Sequence, residues 1–126
     1  GLMGSQVIYP KLSYRVMQAV FEVHNTLGPG FAECLYEEAL AIELERGQIP
    51  FERQACVEVT YKGTLIGTHR LDLLVDQKII LELKAVSKLT DVFKRQTLSH
   101  LKAANLTLGI LINFGTPRVD YCRIVN

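Results

Sequence analysis

The stretch Ile79-Ile80-Leu81-Glu82-Leu83-Lys84 decides the fold, because it is apolar except for one acid and one base. Side chains alternate along a β-strand, so Glu82 and Lys84 would point to the same face and lie next to each other. A buried carboxylate or ammonium group is costly unless it is paired or binds a ligand. The stretch therefore predicts a functional pair, or alternatively an ion pair on a solvated face of the sheet.

The preceding apolar segment contains a second isolated acid. Leu71-Asp72-Leu73-Leu74-Val75 is apolar except for Asp72, and the following turn pairs positions whose numbers sum to about 154. Asp72 and Glu82 should then lie almost opposite each other, where two carboxylates repel. A divalent cation removes this repulsion, and both carboxylates and the Leu83 carbonyl are hard oxygen ligands of the kind Mg²⁺ prefers. Lys84 is expected to position water or to stabilise negative charge beside the metal.

Hydrophobic periodicity places this strand in the order α-α-β-β-β-α-β-β. Two helices end at glycines, a meander of three antiparallel strands follows, and a third helix precedes a strand buried on both faces and an edge strand. Ser13 is expected to cap the first helix, and Leu35, Ala39, Leu40 and Leu44 to form the apolar stripe of the second. The predicted bounds are 13–27 and just after 30 to 47 for these helices, 55–61, 65–75 and 79–84 for the meander, 90–104 for the third helix, and 108–114 and 119–125 for the last strands.

Length and composition exclude several classes of protein. The 126 residues suit a single domain, and 48% hydrophobic with 21% charged residues excludes a disordered chain. No apolar run approaches the roughly 18 residues that span a bilayer, and the net charge of +1 argues against bulk attraction to nucleic acid or membrane. Three separated cysteines without a CxxC pair disfavour disulfides and a zinc site. With no signal peptide apparent, we expect a cytoplasmic location and, in residues 1–5, a cloning remnant.

A run of further motifs surrounds the two acids and the lysine. Gly30-Phe31-Ala32-Glu33-Cys34-Leu35-Tyr36 reads GxxExxY, and Tyr61-Lys62-Gly63, Glu82-Leu83-Lys84-Ala85-Val86 and Ile112-Asn113-Phe114-Gly115 follow in order. From about residue 12 to 125, the chain resembles the bacterial GxxExxY family of the PD-(D/E)XK nuclease superfamily. The resemblance implies an α/β (α+β) fold over residues 1–126, with a nuclease-like core and a mixed central sheet flanked by helices. It also implies phosphodiester hydrolysis with Mg²⁺ or Mn²⁺.

The resemblance also implies roles for residues at matching positions. Asp72, Glu82 and Lys84 match the superfamily's D…ExK core. Glu33 matches an extra acid that completes the metal site, so the implied metal ligands are Asp72, Glu82, Glu33 and the Leu83 carbonyl. An acid in the first turn of a helix also gains from the helix dipole, which is the competing explanation of Glu33.

Weaker candidates surround this core. Gln96 matches the glutamine of a QxxxY-type motif, which implies a catalytic role, and is expected on the inward side of its helix, where a polar group needs a partner. The tyrosine of that motif is replaced by His100, which is expected either to contact phosphate or to be exposed without a role. Arg70 would contact phosphate or pair with a nearby acid. Tyr36 is expected to pack and to orient the helix acid, and His69 to be exposed.

Two functions from different classes fit these residues. The first is a metal-dependent nuclease acting on nucleic acid, DNA ahead of RNA, with a homodimer through the edge strand 119–125 as one option. The alternative is a non-catalytic nucleic-acid-binding or assembly module on the same fold. The complete set of Asp72, Glu82 and Lys84 favours catalysis, because a binding module has no need for two like charges facing inward. The small net charge predicts weak, salt-sensitive binding.

Overall fold

The structure is a computed structural model that describes residues 8–126. The cloning remnant expected in residues 1–5 lies outside the described residues. The element order is the predicted α-α-β-β-β-α-β-β. The helices are α1 (Pro10–Leu27), α2 (Glu33–Arg46) and α3 (Asp91–Ala104), and the strands are β1 (Phe51–Tyr61), β2 (Thr64–Val75), β3 (Ile79–Lys84), β4 (Leu108–Asn113) and β5 (Asp120–Val125).

The strands form one mixed sheet in the order β1-β2-β3-β4-β5. β1, β2 and β3 form the predicted antiparallel meander, β3 and β4 run parallel, and β5 lies antiparallel to β4. Leu73 pairs with Leu81 and Val75 with Ile79, which confirms the register that the sequence predicts. A parallel pair needs a long crossover connection, and the segment from β3 to β4 supplies it through α3.

The two faces of the sheet are covered unequally. On the face beneath α1 and α2, which we call the α1–α2 face, sixteen buried side chains form one core that includes Val20, Leu40 and Phe114. On the opposite face, which we call the α3 face, only five buried side chains form the core, among them Leu74 and Leu101. All six residues of β4 are buried, which explains why this parallel strand is apolar at every position.

Two element starts differ by three or more residues from the sequence-based bounds. α1 begins at Pro10, where the fixed φ of proline suits a first helical position. Ser13 therefore lies within the helix and donates its hydroxyl to the Ile8 carbonyl at 3.4 Å, so the predicted Ser13 cap is wrong. β1 begins at Phe51 rather than at residue 55. The sequence did not indicate this start, because residues 52–54 are all polar and do not alternate with apolar ones, and Gln54 has a φ of 53°.

The apolar side of α2 also differs from its predicted stripe. Leu40 and Leu44 are fully buried, but Leu35 is 47% exposed and the fully buried side chain beside it is Tyr36. The glycine stop before α2 is confirmed, because Gly28 has a φ of 70° and donates its N–H to the last turn of α1. Within residues 8–126, no helix is both long and apolar enough to cross a membrane.

Candidate active site

Asp72 lies where β2 and β3 begin to separate. The paired residues of these strands end at Leu73 and Leu81. Asp72 directly precedes Leu73 in β2 and so lies just beyond the paired residues. Its carboxylate takes the place of a backbone partner, because its Oδ2 accepts a hydrogen bond of 2.7 Å from the Leu83 N–H. This bond ties Asp72 to the segment of β3 that lies between Glu82 and Lys84.

The Asp72 side chain opens into a small cavity at the start of α2. The cavity has a volume of 180 Å³ and is lined by Glu33, Cys34, Glu37, Gln54, Asp72 and Leu83. Glu33 is the first residue of α2, and Glu37 follows one turn later on the same side of the helix. Three carboxylates therefore share one cavity with the backbone of β3.

The environment of Asp72 opposes its charged form. Burial, together with the negative charges of Glu82 and Glu37, raises the pKa of Asp72 from its ordinary 3.8 to about 6. The hydrogen bond from Leu83 and the positive charge of Lys84 act in the opposite direction. A cation bound beside these carboxylates would relieve the unfavourable charge.

Glu37 is a residue of this cavity that the sequence did not point out. Its carboxylate accepts hydrogen bonds from Arg53 Nε at 2.9 Å and from Gln54 Nε2 at 2.7 Å. Arg53 also binds Glu38 through two nitrogens and holds the pKa of that carboxyl below its usual range. The spacing of four residues between Glu33 and Glu37 was the available signal, since it places both acids on one helix face.

Glu82 is buried and turns to the α3 face. Its Oε1 is hydrogen bonded to Nδ1 of His100, and the His100 ring centre lies 4.3 Å from that of His69. His100 is half-buried with a partner, and His69 is half-buried beneath it. The prediction that His69 is exposed is wrong, because the side chain of His100 on α3 covers it.

Lys84 lies on the same face as Glu82, as the alternation of side chains predicts. It is half-buried, and its Nζ lies 4.7 Å from the centre of the Phe93 ring on α3. A cation over an aromatic face is attracted by the ring. The ammonium group is therefore held at the end of β3, within electrostatic reach of Asp72.

The structure does not bring Gln96 into this group. Gln96 is exposed, and the buried residues of α3 are Thr97 and Leu101. The prediction of an inward glutamine is wrong because the buried stripe of α3 is shifted by one position. Arg70 on β2 is also exposed and is free of ion pairs within the described residues.

Tyr36 shapes the site without lining its cavity. It is fully buried, stacks on Phe114 at a ring distance of 4.5 Å, and donates its hydroxyl to the Gly28 carbonyl at 2.5 Å. The Tyr36 hydroxyl oxygen also accepts a hydrogen bond of 3.2 Å from the Phe31 N–H. These bonds fix the loop that leads into Glu33, in agreement with the predicted packing role of Tyr36.

The candidate ligand atoms are of the chemical type that binds a hard divalent cation. The implied ligands are carboxylates and one backbone carbonyl, which suit Mg²⁺ or Mn²⁺ rather than softer metals. Within residues 8–126, no three His, Cys, Asp or Glu side chains already converge on one point, since Asp72 faces the α2 cavity while Glu82 faces His100. Glu82 would have to turn from His100, or share its carboxylate, to bind the same ion as Asp72.

Comparison with known proteins adds two findings. A family model for the PD-(D/E)XK nuclease superfamily matches residues 10–124 of the chain. The crystal structure of SSO0001 is similar in fold, with a TM-score of 0.59 at 18% identity, over 73% of this chain and 48% of that one. The chain thus spans about half the length of that protein. No curated protein matches the sequence.

Proposed function

We propose that this chain, which belongs to the PD-(D/E)XK nuclease superfamily, is a divalent-metal-dependent nuclease that hydrolyses phosphodiester bonds. One observation carries the proposal: the hydrogen bond of 2.7 Å from the Leu83 N–H to Asp72. It fixes the carboxylate of β2 against the part of β3 that carries Glu82 and Lys84. An acid, a second acid and a lysine on neighbouring strands are the groups that metal-assisted phosphodiester hydrolysis requires.

The proposed metal ligands are Asp72, Glu82, Glu33 and the Leu83 carbonyl, and the metal is Mg²⁺ or Mn²⁺. When bound, such an ion polarises the phosphate and lowers the pKa of a coordinated water. The chain's own part is to hold its carboxylates in place. Arg53 and Gln54 bind Glu37, so of the two α2 acids that line the cavity, Glu33 is the one without an ion pair within residues 8–126 and is available to the ion.

Lys84 is the residue that we assign to the chemistry itself. Its Nζ would donate a hydrogen bond to the attacking water and stabilise the negative charge that grows on the phosphate oxygens. The Phe93 ring at 4.7 Å restricts where the ammonium group can lie. Gln96 and Arg70 are exposed, and we assign them, with His100, to contacts with the substrate.

A specific observation favours the alternative of a non-catalytic binding module. Glu82 is hydrogen bonded to His100 and, within residues 8–126, joins no ready group of three metal-binding side chains. A module of this kind would bind nucleic acid without binding the metal. Calorimetric titration with Mn²⁺ separates the two functions, because only the nuclease requires Mn²⁺ binding that Glu82→Gln weakens.

Finer parts of the proposal rest on the same residues. We place the chain in the bacterial GxxExxY family, in the cytoplasm, and with DNA rather than RNA as substrate. The GxxExxY motif supports the family, since its Glu33 lines the cavity of Asp72 and its Tyr36 holds the loop that leads into α2. A homodimer would form through β5, which within residues 8–126 pairs with β4 alone and lies at the edge of the sheet.

The test is a cleavage assay of the purified chain with Mg²⁺ or Mn²⁺ on linear, nicked and branched DNA and on RNA. We expect cleavage by the wild type and its loss in Asp72→Ala and in Lys84→Ala, with circular dichroism unchanged. Lys78→Ala is the matched control, because Lys78 lies in the turn before β3 and pairs with Asp76. Cleavage that survives both site substitutions would refute the proposal.

A further inference from the structure

Charge is distributed unevenly between the two sides of the sheet. The two helices of the α1–α2 face carry six Glu against three Lys and Arg. The helix of the α3 face carries three Lys and Arg against one Asp. The net charge of +1 therefore conceals an acidic α1–α2 side and a basic α3 side. A polyanion is attracted to the latter.

The β1–β2 hairpin extends this basic side. Its outer part, residues 56–70, which we call the hairpin arm, contains Lys62, His69 and Arg70 and a single acid, Glu58. The end of the arm is apolar and exposed: Tyr61 is 60% exposed, and its neighbours across the turn, Leu65 and Ile66, are similarly open. Exposed apolar side chains grouped at one place indicate a binding surface.

A groove joins the hairpin arm to α3. It has a volume of 530 Å³. Its polar lining consists of Thr60, His69 and Lys102, which can donate hydrogen bonds, of Ser99, whose hydroxyl donates to the Arg95 carbonyl, and of the acid Glu58. The His69 ring at the base of this groove contacts His100, which is bonded to Glu82. The groove therefore leads from the hairpin arm to a residue of the proposed metal site.

We infer that nucleic acid with unpaired bases binds along this groove, its backbone on the groove donors and one base stacked on Tyr61. The inference rests on the proposed nuclease function and gives its substrate class. The exposed Tyr61 ring matches the faces of bases, which are accessible in single strands and hidden in a stacked duplex. Lys62, whose Nζ lies 5.4 Å from the Tyr61 ring centre, adds positive charge for the adjoining phosphate.

The position of Tyr61 relative to the site limits the substrate further. Asp72 lies eight positions after Thr64, the residue of the extended strand β2 at the end of the hairpin. The distance between them is about 26 Å at the usual rise of a strand. The nucleotide stacked on Tyr61 is thus well removed from the bond to be cut. The hairpin arm would select the substrate, and the groove would lead it towards Glu82.

The test measures binding without cleavage. Fluorescence anisotropy with EDTA present compares a labelled single-stranded DNA of about 20 nucleotides with the matching duplex. We expect tighter binding of the single strand, and a loss of about five- to tenfold in its affinity in Tyr61→Ala. Lys102→Ala should weaken binding of both and reduce the slope of log affinity against log salt by about 1. Tyr14→Ala is the control, because Tyr14 on α1 is equally open at 65%.

Two results would overturn the inference. One is equal affinity of Tyr61→Ala and Tyr14→Ala for the single strand. The other is a Tyr61→Ala variant that changes from dimer to monomer in sedimentation while its affinity for DNA is unchanged, since the hairpin end would then bind a second copy of the chain. Neither result depends on cleavage. A chain that binds the single strand through Tyr61 but does not cleave it would refute the nuclease function alone.

Discussion

The two faces of the sheet differ in how they treat their acidic residues. On the α1–α2 face, Asp72 shares a cavity with the acids of α2, and Arg53 and Gln54 hold Glu37. On the α3 face, Glu82 has a histidine partner and Lys84 an aromatic one. One face is thus rich in negative charge, whereas on the other Glu82 lies among a histidine and a lysine.

This difference suggests a different role for each face: the α1–α2 face stabilises the fold, and the α3 face contacts the substrate. The α1–α2 face has the larger core, so it contributes most of the hydrophobic stabilisation. The α3 face has the smaller core, the groove beside the hairpin arm and a helix with more basic than acidic residues. Asp72 and Glu82 lie on neighbouring strands between the two faces, so a metal bound by both would connect them.

The largest expected effect is on catalysis. Glu82→Gln keeps the shape of the side chain and its hydrogen bond to His100 but removes the charge that would hold the metal. We expect cleavage to fall by about 10²–10³-fold. Glu38→Gln, on the α1–α2 face, removes an equally negative but exposed group that pairs with Arg53 and should leave the rate within threefold. Similar rates for the two variants would show that Glu82 on the α3 face matters no more for cleavage than an exposed acid on the α1–α2 face.

The next effect compares the two cores. Leu40→Ala leaves a cavity in the larger core, where Leu40 is fully buried, and should lower the free energy of unfolding by about 3–4 kcal/mol. Leu74→Ala, in the smaller core beside the groove, should cost about 2 kcal/mol because solvent and neighbours can fill the space. Urea denaturation of both variants measures the difference. An equal or greater loss in Leu74→Ala would show that the α3 face stabilises the fold as much as the other.

The pH dependence of stability tests the environment of Asp72. Its pKa is about 6 in the folded chain and 3.8 in the ordinary unfolded state. The folded state then binds more protons between these values, so stability falls as pH rises from 4 to 6 and stays lower above. Without metal, Asp72→Asn should raise the free energy of unfolding at pH 7 by about 1–2 kcal/mol, a value reduced from the full shift because the group is partly exposed.

The measurement is the urea midpoint of wild type and Asp72→Asn at several pH values in EDTA. The two curves should meet near pH 4 and diverge towards pH 7. A wild type that gains stability relative to Asp72→Asn as pH rises would show that the Asp72 carboxylate is favourably placed even without a metal.

The smallest effect concerns the hydrogen bond between His100 and Glu82. This bond holds the carboxylate on the α3 face, and a metal must compete with it. His100→Leu, which makes no such bond, should tighten Mn²⁺ binding by about two- to fivefold, equivalent to roughly 0.4–1 kcal/mol. His69→Leu is the matched control, since His69 contacts the ring of His100 and, within residues 8–126, is not hydrogen bonded to Glu82. Weaker Mn²⁺ binding in His100→Leu would mean that His100 prepares Glu82 for the metal.

Much of the fold was predictable because local pattern and register agree. The bounds of β3, the antiparallel meander and the pairing of Leu73 with Leu81 were all correct, since alternation and turn length determine them. The failures near the site involve contacts between distant elements. Gln96 is exposed because the buried stripe of α3 is set by its packing on the sheet, and His69 is covered by a residue from α3.

The candidate site was predictable in residue type but only partly in arrangement. The sequence singled out Asp72, Glu82 and Lys84, since isolated charges in apolar strands stand out. It did not indicate that Asp72 would face a cavity of α2 while Glu82 faced His100. Side-chain orientation at the separating ends of two strands depends on the partners that each side chain finds, and these come from helices far away in sequence.

A crystal structure of the chain with Mn²⁺ tests the central claim most directly. The claim is that Asp72 and Glu82 hold one metal between the two faces. It predicts an anomalous peak at about 2.0–2.3 Å from oxygens of both carboxylates, with Glu82 turned from or shared with His100. A fully occupied Mn²⁺ bound elsewhere, or no peak at saturating Mn²⁺ with Glu82 still on His100 alone, would contradict it.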